Sequence, residues 1–124
     1  MLLNLKIIFL FFGLFFYSGE VADEIVAALK QGKTTDLIKY FDEKVSIKLS
    51  NQEDVLSKAQ AEANLKYFFE KHPVKNFSGS HISSTNNTTQ YITGKLETVS
   101  GKFKVSILVR RGLISQFRIE DDND

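Results

Sequence analysis

The sequence predicts an α+β fold in which three N-terminal helices pack on a strongly curved, mainly antiparallel sheet. Two observations carry this prediction. Apolar residues recur at helical spacing in most of the first half of the chain, whereas only strand-like alternation is found from Asn76 onward. Runs of helices followed by runs of antiparallel strands are typical of the α+β class.

The C-terminal hairpin is the clearest of these elements. Its first strand runs from Lys102 to Arg110, and its buried face consists of Phe103, Val105, Ile107 and Val109. Its second strand runs from Leu113 to Glu120, with an expected inward face of Leu113, Phe117 and Ile119 and with Ser115 as the polar exception. Gly112 in the short connection can adopt a positive φ. The apolar face of this hairpin requires cover from the rest of the chain.

The predicted helices supply that cover. The first runs from Glu20 to Gln31 and ends at Gly32, and its apolar stripe is Ala22, Ile25, Val26 and Leu29. Thr34 or Thr35 is expected to cap a second, shorter helix, whose buried side chains would be Leu37, Ile38 and Phe41.

A one-sided strand from Val45 to Leu49 precedes the third helix, and Asn51 to Asp54 is interpreted as a polar turn. Ser57 and Gln60 form a capping box for the third helix, which ends near Lys71 because Pro73 follows. Its apolar stripe is Ala61, Leu65, Phe68 and Phe69.

Two further strands, at Asn76 to Thr85 and Thr89 to Val99, complete a meander with the final hairpin. Gly79 and Gly94 are expected to be positions of bulges or bends. The predicted order is therefore helix, helix, strand, helix and four strands.

Residues 1–19 differ from the rest of the chain. Lys6 precedes an apolar run from Ile7 to Tyr17, and the small residues Ser18 and Gly19 follow. This pattern is typical of a signal peptide, which would leave a single exported domain at residues 20–124 in the periplasm or the medium. A retained membrane anchor and a buried helix are the alternatives.

Composition excludes several kinds of function. The chain has 124 residues, room for one domain, and its net charge is +1, which provides no strong field for nucleic acid. It has no cysteine, and therefore no disulfide and no thiolate site. We expect neither a metal site nor a cofactor. The basic residues near the final hairpin are interpreted as solvated strand faces, where Glu97 and Glu120 can pair across strands.

Three stretches of the sequence carry a family resemblance: DEIVAALKQGKTTDLIKYFDEKVSI (Asp23–Ile47), SKAQAEANLKYFFEKHPVKNF (Ser57–Phe77) and FRIED (Phe117–Asp121). With the order of elements, they resemble a bacterial family of small secreted proteins of unknown function within the nuclear transport factor 2-like (NTF2-like) superfamily. That superfamily has the cone-like fold of ketosteroid isomerase and scytalone dehydratase. The resemblance covers almost all of residues 20–121. It implies a curved sheet, a cavity between sheet and helices, and frequent dimerisation through the outer sheet face, but no reaction.

Four residues are candidates for lining such a cavity: Tyr40, Tyr67, His81 and Tyr91. His81 alternates in phase with Phe77 and Gly79, which is compatible with an inward position, but an exposed or hydrogen-bonded structural histidine is the more common case. His72 is interpreted as a dipole partner or a C-cap group at the end of the third helix. No acidic residue occupies an inward position of the final hairpin, so no catalytic residue is assigned.

The first functional hypothesis is a non-catalytic module that binds a small apolar ligand or a protein, through its cavity or its outer sheet face. The alternatives are an isomerase, dehydratase or hydrolase that uses the cavity tyrosines or His81, and an envelope-tethered structural protein. A homodimer through the outer sheet face is also expected, because four apolar residues were assigned to that face: Ile92, Leu96, Leu108 and Ile114.

Overall fold

The computed structural model describes residues 17–122. Its helices are α1 (Tyr17–Gln31), α2 (Thr34–Leu37) and α3 (Lys58–Lys71), and a 3₁₀ turn (Ile38–Tyr40) follows α2. Its strands are β1 (Phe41–Leu49), β2 (Gln52–Ser57), β3 (Val74–Asn86), β4 (Thr89–Thr98), β5 (Gly101–Arg110) and β6 (Leu113–Asp121). The α+β class is therefore confirmed.

All six strands form one curved sheet in the order β2-β1-β6-β5-β4-β3. Strands β3 to β6 form the predicted antiparallel meander. β1 pairs with β2 in antiparallel and with β6 in parallel orientation, so the N-terminal hairpin joins the sheet beside the last strand. β2 and β3 are the two edges.

Two sequence predictions about the first half are wrong. The helices are not all N-terminal, because α3 follows β1 and β2. The residues from Asn51 to Asp54 were assigned to a turn, yet the turn ends at Asn51 and β2 starts at Gln52. β2 forms although it has few apolar residues, because it is a short edge strand held by backbone pairing to β1. The pairs include Leu49 opposite Gln52 and Val45 opposite Leu56.

The helix ends follow local sequence signals. At Gly32, which has a φ of 64°, the amide of Lys33 donates to the carbonyl of Ala28 and the amide of Gly32 to that of Leu29. These two bonds form a Schellman motif. The capping box of Ser57 and Gln60 is present, and α3 ends at Lys71 as predicted. The cap expected from Thr34 or Thr35 is absent, since Lys33 occupies the cap position without a side-chain bond.

The core lies between the helices and one face of the sheet, called here the inner face. Six buried phenylalanines occupy it: Phe41, Phe68, Phe69, Phe77, Phe103 and Phe117. Ile114, rather than the expected Leu113, is buried on β6. The register slips at Ser115, since Leu108 is opposite Gln116 while Val109 is opposite Ile114. This bulge reverses the alternation at the start of β6.

The face of the sheet that points away from the helices, the outer face, is more polar than expected. Ile92 lies opposite Ile107 and Leu96 opposite Phe103, so both point inward. Ile114 is inward as well. Only Leu108 of the four apolar residues assigned to the outer face is there. The assignment of the other three was wrong, because the sequence does not show how the phase of one strand relates to that of the next.

The predicted signal peptide, residues 1–19, lies outside the described residues except for residues 17–19, which begin α1. Within residues 17–122, no helix combines the length and the apolar character that crossing a membrane requires.

Candidate functional site

The interior between the sheet and the helices is almost entirely apolar. Among the described residues, Thr98 is the only buried polar residue. Its hydroxyl donates to the carbonyl of Gly101 over 2.9 Å and accepts from the amide of Ser100 over 3.1 Å. These bonds satisfy Thr98 and close the turn between β4 and β5. Six phenylalanine side chains are buried in the same core.

An open groove of about 840 Å³ lies at the mouth of the cone, between the β1–β2 hairpin and α3. Because Ser57 ends β2 and caps α3, strand and helix diverge from one point and form the two walls. Its apolar lining consists of Ile47, Leu49, Leu56 and Phe68. Its polar lining consists of Ser50, Asn51, Gln52, Glu53, Asp54, Asn64, Tyr67, Lys71 and His72. We call this cavity the β2–α3 groove.

His72 is the least ordinary residue of the β2–α3 groove. It caps α3, donating its backbone N–H to the carbonyl of Phe68 over 2.8 Å. Its ring centroid lies 4.6 Å from that of Phe68 and 5.3 Å from that of Phe103. The ring atom Nδ1 is buried and has no hydrogen-bond partner. Such an atom reduces stability unless something binds it.

The predicted C-cap role of His72 is confirmed, but the packing of its ring against Phe68 and Phe103 was not predicted. The signal that indicates its actual position is helical spacing, because Leu65, Phe68, Phe69 and His72 occupy i, i+3, i+4 and i+7. His72 therefore continues the apolar stripe of α3, which places its ring against the core.

Tyr67, one of the four predicted cavity residues, borders the same groove. Its side chain is exposed, and the ammonium of Lys71 lies 5.3 Å from the centre of its ring. A cation over a tyrosine ring contributes little when both groups are exposed to water. Tyr67 and Lys71 together form an amphipathic rim on the helix wall.

The other three predicted residues are not brought together with Tyr67. Tyr40 borders a separate groove of about 290 Å³ beside α1. Tyr91 is on the outer face, opposite Leu108 of β5. His81 is also on the outer face, opposite Thr93, and is exposed.

His81 has the exposed position that was the favoured alternative, because a bulge in β3 interrupts its phase with Phe77. Ser78 is opposite Lys95 and His81 is opposite Thr93, so two residues of β3 face a single residue of β4. Gly79, whose φ is 63°, is one of the two extra residues. A bulge changes the side of the sheet on which the following residues lie. The expectation that Gly79 marks a bulge is thus confirmed.

Charged side chains form a ladder on the outer face beside the groove. A guanidinium nitrogen of Arg118 lies 2.7 Å from Glu53, and the ammonium of Lys48 lies 2.9 Å from Glu120. The hydrogen bond with Glu53 raises the pKa of Arg118. The hydrogen bond from Lys48 lowers the pKa of Glu120. The predicted cross-strand pairing of Glu120 is therefore present.

The basic residues of the central strands are also balanced by an acid. Lys95 and Lys104 lie 3.7 Å and 3.9 Å from the carboxylate of Asp122. Among the described residues, no group of three or more histidine, aspartate or glutamate side chains is arranged to hold a metal ion. Asp122 thus offsets part of the positive charge of Lys95 and Lys104.

Comparison with known proteins gives a family and a fold. The family model described as a domain of unknown function (DUF4783) matches residues 22–121. A crystal structure of a DUF4783 family protein from Bacteroides uniformis is similar, with 27% identity, a TM-score of 0.78, and coverage of 82% of this chain and 97% of that one. The corresponding protein from Bacteroides ovatus has 28% identity and a TM-score of 0.75, and 82% and 94% of the two chains are covered.

A more distant structure shows the fold alone. It is a proposed dehydratase from the NTF2-like family of Streptomyces avermitilis, with 13% identity, a TM-score of 0.64, and coverage of 87% of this chain and 95% of that one. Among curated proteins, none matches this sequence. The predicted membership of a family of unknown function is confirmed, and the Streptomyces avermitilis structure has the predicted NTF2-like fold.

Proposed function

This chain belongs to the DUF4783 family of domains of unknown function, and from that premise we propose that it is a non-catalytic binding module. It holds a small, partly apolar ligand in the β2–α3 groove. The ligand site is thus at the mouth of the cone rather than inside it.

The observation that carries this proposal is the contrast between the interior and the groove. The interior holds six phenylalanines, and the hydroxyl of Thr98 already forms hydrogen bonds with backbone groups of the β4–β5 turn. A site like that of ketosteroid isomerase needs a carboxylate base and two oxyanion donors within the apolar cavity. The groove, in contrast, is open and is lined by both apolar and polar side chains.

The size and lining of the groove suit a small molecule. Ligand pockets commonly measure about 300–1,000 Å³ and combine apolar surface with a few polar groups. In the β2–α3 groove, Leu49, Leu56 and Phe68 offer the apolar surface, and Asn64 offers an amide that can both donate and accept. These groups favour a compact molecule with an apolar body and a polar end.

We also propose that the module is exported. The support is the sequence of residues 1–19, where one lysine, an apolar run and two small residues occur in the order typical of a signal peptide. The DUF4783 match starts at residue 22, just after the proposed signal. If the segment is retained instead, the same module is held at a membrane.

An enzyme of isomerase, dehydratase or hydrolase type is the second candidate. It is favoured by one observation, the buried and unpartnered Nδ1 of His72 at the end of the groove. The similarity to the Streptomyces avermitilis protein supplies the fold but no residue for a reaction. Such a reaction would take place in the groove beside Tyr67 and His72 and would not use His81 or Tyr91.

Native mass spectrometry of the chain expressed with its N-terminal segment tests these proposals. We expect a mass that corresponds to cleavage near residue 19 and an additional small mass from retained ligand. In Asn64→Trp, the indole would fill the groove and the additional mass would be lost. Glu70→Trp is the matched control, because Glu70 is exposed on the same helix and is not a lining residue.

Three results would count against the binding module. The wild-type chain could carry no ligand and show no chemical-shift change at groove residues when a metabolite mixture is added. Asn64→Trp could keep the same ligand as the wild type. The retained molecule could also be chemically converted during incubation, which would favour the enzyme. An intact N-terminal segment in the exported protein would exclude cleavage but not binding.

A further inference from the structure

We propose that the exposed edge of β3 is a self-pairing surface, through which two copies of this chain join in antiparallel orientation around Ile82. β3 is at the opposite edge of the sheet from β2, so the inference goes beyond the proposed ligand groove and does not depend on it.

The first observation is the exposure of β3. Of its 13 residues only Phe77 is buried, and every residue from Ser78 to Asn86 is exposed. From His81 to Ser84 the strand pairs with β4 in continuous register, which leaves a regular edge on its other side. Unpaired backbone groups along such an edge can accept a further strand.

The second observation is the absence of charged side chains from this edge. Residues 76–94 contain no aspartate, glutamate, lysine or arginine, although 31 of the 124 residues of the chain are charged. Charged side chains and proline are the common means by which edge strands avoid pairing. The other edge has this protection, because β2 is six residues long and contains Glu53 and Asp54.

The third observation is the position of Ile82. It lies at the centre of the exposed run from Ser78 to Asn86, and 37% of its surface is accessible. Ile92, the residue of β4 opposite Ile82, is fully buried. An antiparallel pairing with the two-fold axis at Ile82 places this residue against its own copy and removes an exposed apolar side chain from water.

The same register is complementary along the strand. Around the axis, Ser80 would lie opposite Ser84 of the second copy, and His81 opposite Ser83. Hydroxyl pairs across strands are favourable, and no like charges meet. A second copy suits this edge better than a charged peptide, because a charge-free edge offers such a peptide no ionic partner. The regular stretch of β3 from His81 to Ser84 is short and offers a small interface, so we expect weak, reversible association.

Cysteine cross-linking tests the register directly, because the chain has no cysteine of its own. In Ile82→Cys, the two thiols would lie directly opposite each other, at a distance that a disulfide can span. We expect mild oxidation to link most of this variant into dimers. Val55→Cys is the control, since Val55 is 65% exposed on the other edge strand and would stay mostly monomeric.

Sedimentation velocity tests the interface without a covalent bond. We expect the wild-type full chain to dimerise with rising concentration and Ile82→Lys to remain monomeric, with an unchanged urea midpoint. Leu108→Lys on the outer face should leave the dimer intact. The proposal is overturned if the wild type is monomeric at about 0.5 mM, which leaves less than about 5 kcal/mol for association. It is also overturned if Ile82→Lys dimerises normally, or if Val55→Cys cross-links as fast as Ile82→Cys.

Discussion

The ring of Phe77 packs directly on the backbone of Gly94, so that a Cβ on Gly94 would overlap Phe77 Cζ and lie 2.7 Å from Phe77 Cε1. Gly94 faces the bulge of β3, between the pairs Ser78–Lys95 and His81–Thr93. The glycine thus provides room for an aromatic ring where the sheet bends. Phe77 is buried as a result, and it is the only residue of β3 that is.

Gly94→Ala should therefore destabilise the protein by about 1–3 kcal/mol, the usual cost of overpacking a core. The Phe77 ring cannot move away easily, because it is fully enclosed. Urea denaturation would measure the loss. In a Phe77→Leu background the same substitution should cost much less, because the smaller side chain leaves room for the new methyl group. Equal costs in the two backgrounds would show that the ring is not the obstacle.

Gly32→Ala should cost stability for two separable reasons. The φ of 64° is unfavourable for alanine by about 1–2 kcal/mol, and the new Cβ would lie 2.9 Å from a methyl carbon of Val74. Val74→Ala should relieve the second cost but not the first. A double-mutant cycle in urea measures the two parts, and a coupling near zero would contradict the proposed contact.

The elements that the sequence predicted well depend on local interactions. The capping box of Ser57 and Gln60 and the end of α3 before Pro73 involve residues close to each other in the chain. The positive φ of Gly112 in the last hairpin is also a local requirement. Such features can be predicted because no distant residue is needed to form them.

The wrong predictions share a cause that is not local. Leu113 and Ile114 adjoin a bulge, and a single bulge moves side chains to the other face of the sheet. β2 is a strand because β1 pairs with it. The groove could not be predicted either, because its walls are the two elements on either side of Ser57, and their angle depends on tertiary packing.

The pair of Lys48 and Glu120 should make stability depend on pH in the acid range. In the folded protein the pKa of Glu120 is lowered from its ordinary value of 4.5. The contribution of the pair to stability is therefore complete above pH 4.5, and it is lost as the pH falls through the pKa of the folded state. Lys48→Met should thus reduce stability at pH 7 by at most about 1 kcal/mol, since the pair is partly exposed. The difference from the wild type should shrink toward pH 3.

Lys39→Met is a suitable control for that experiment. Lys39 and Asp36 lie 3.5 Å apart with most of the lysine side chain exposed, so their pair should contribute little at any pH. Thermal unfolding at pH 7 and pH 3 would measure both variants. If the stability difference between Lys48→Met and the wild type is the same at both pH values, Lys48 does not lower the pKa of Glu120 in the folded state.

His72→Phe should be neutral or should stabilise the protein, although most core substitutions do the opposite. The reason is that Nδ1 is buried without a partner between Phe68 and Phe103, and an apolar ring removes this unsatisfied atom while keeping the aromatic contacts. If the nitrogen serves the groove, the same variant should retain less ligand in native mass spectrometry. Higher stability with weaker binding is the usual relation at a functional site.

His72→Leu separates this explanation from a simple effect of ring size, because it removes the nitrogen without adding a larger ring. We expect both variants to have urea midpoints at or above that of the wild type and to bind less ligand. Tyr67→Phe, on the exposed rim, should change neither property by much. Destabilisation of both His72 variants by more than about 1 kcal/mol would show that Nδ1 is satisfied in the folded protein, and His72 would then be a structural residue.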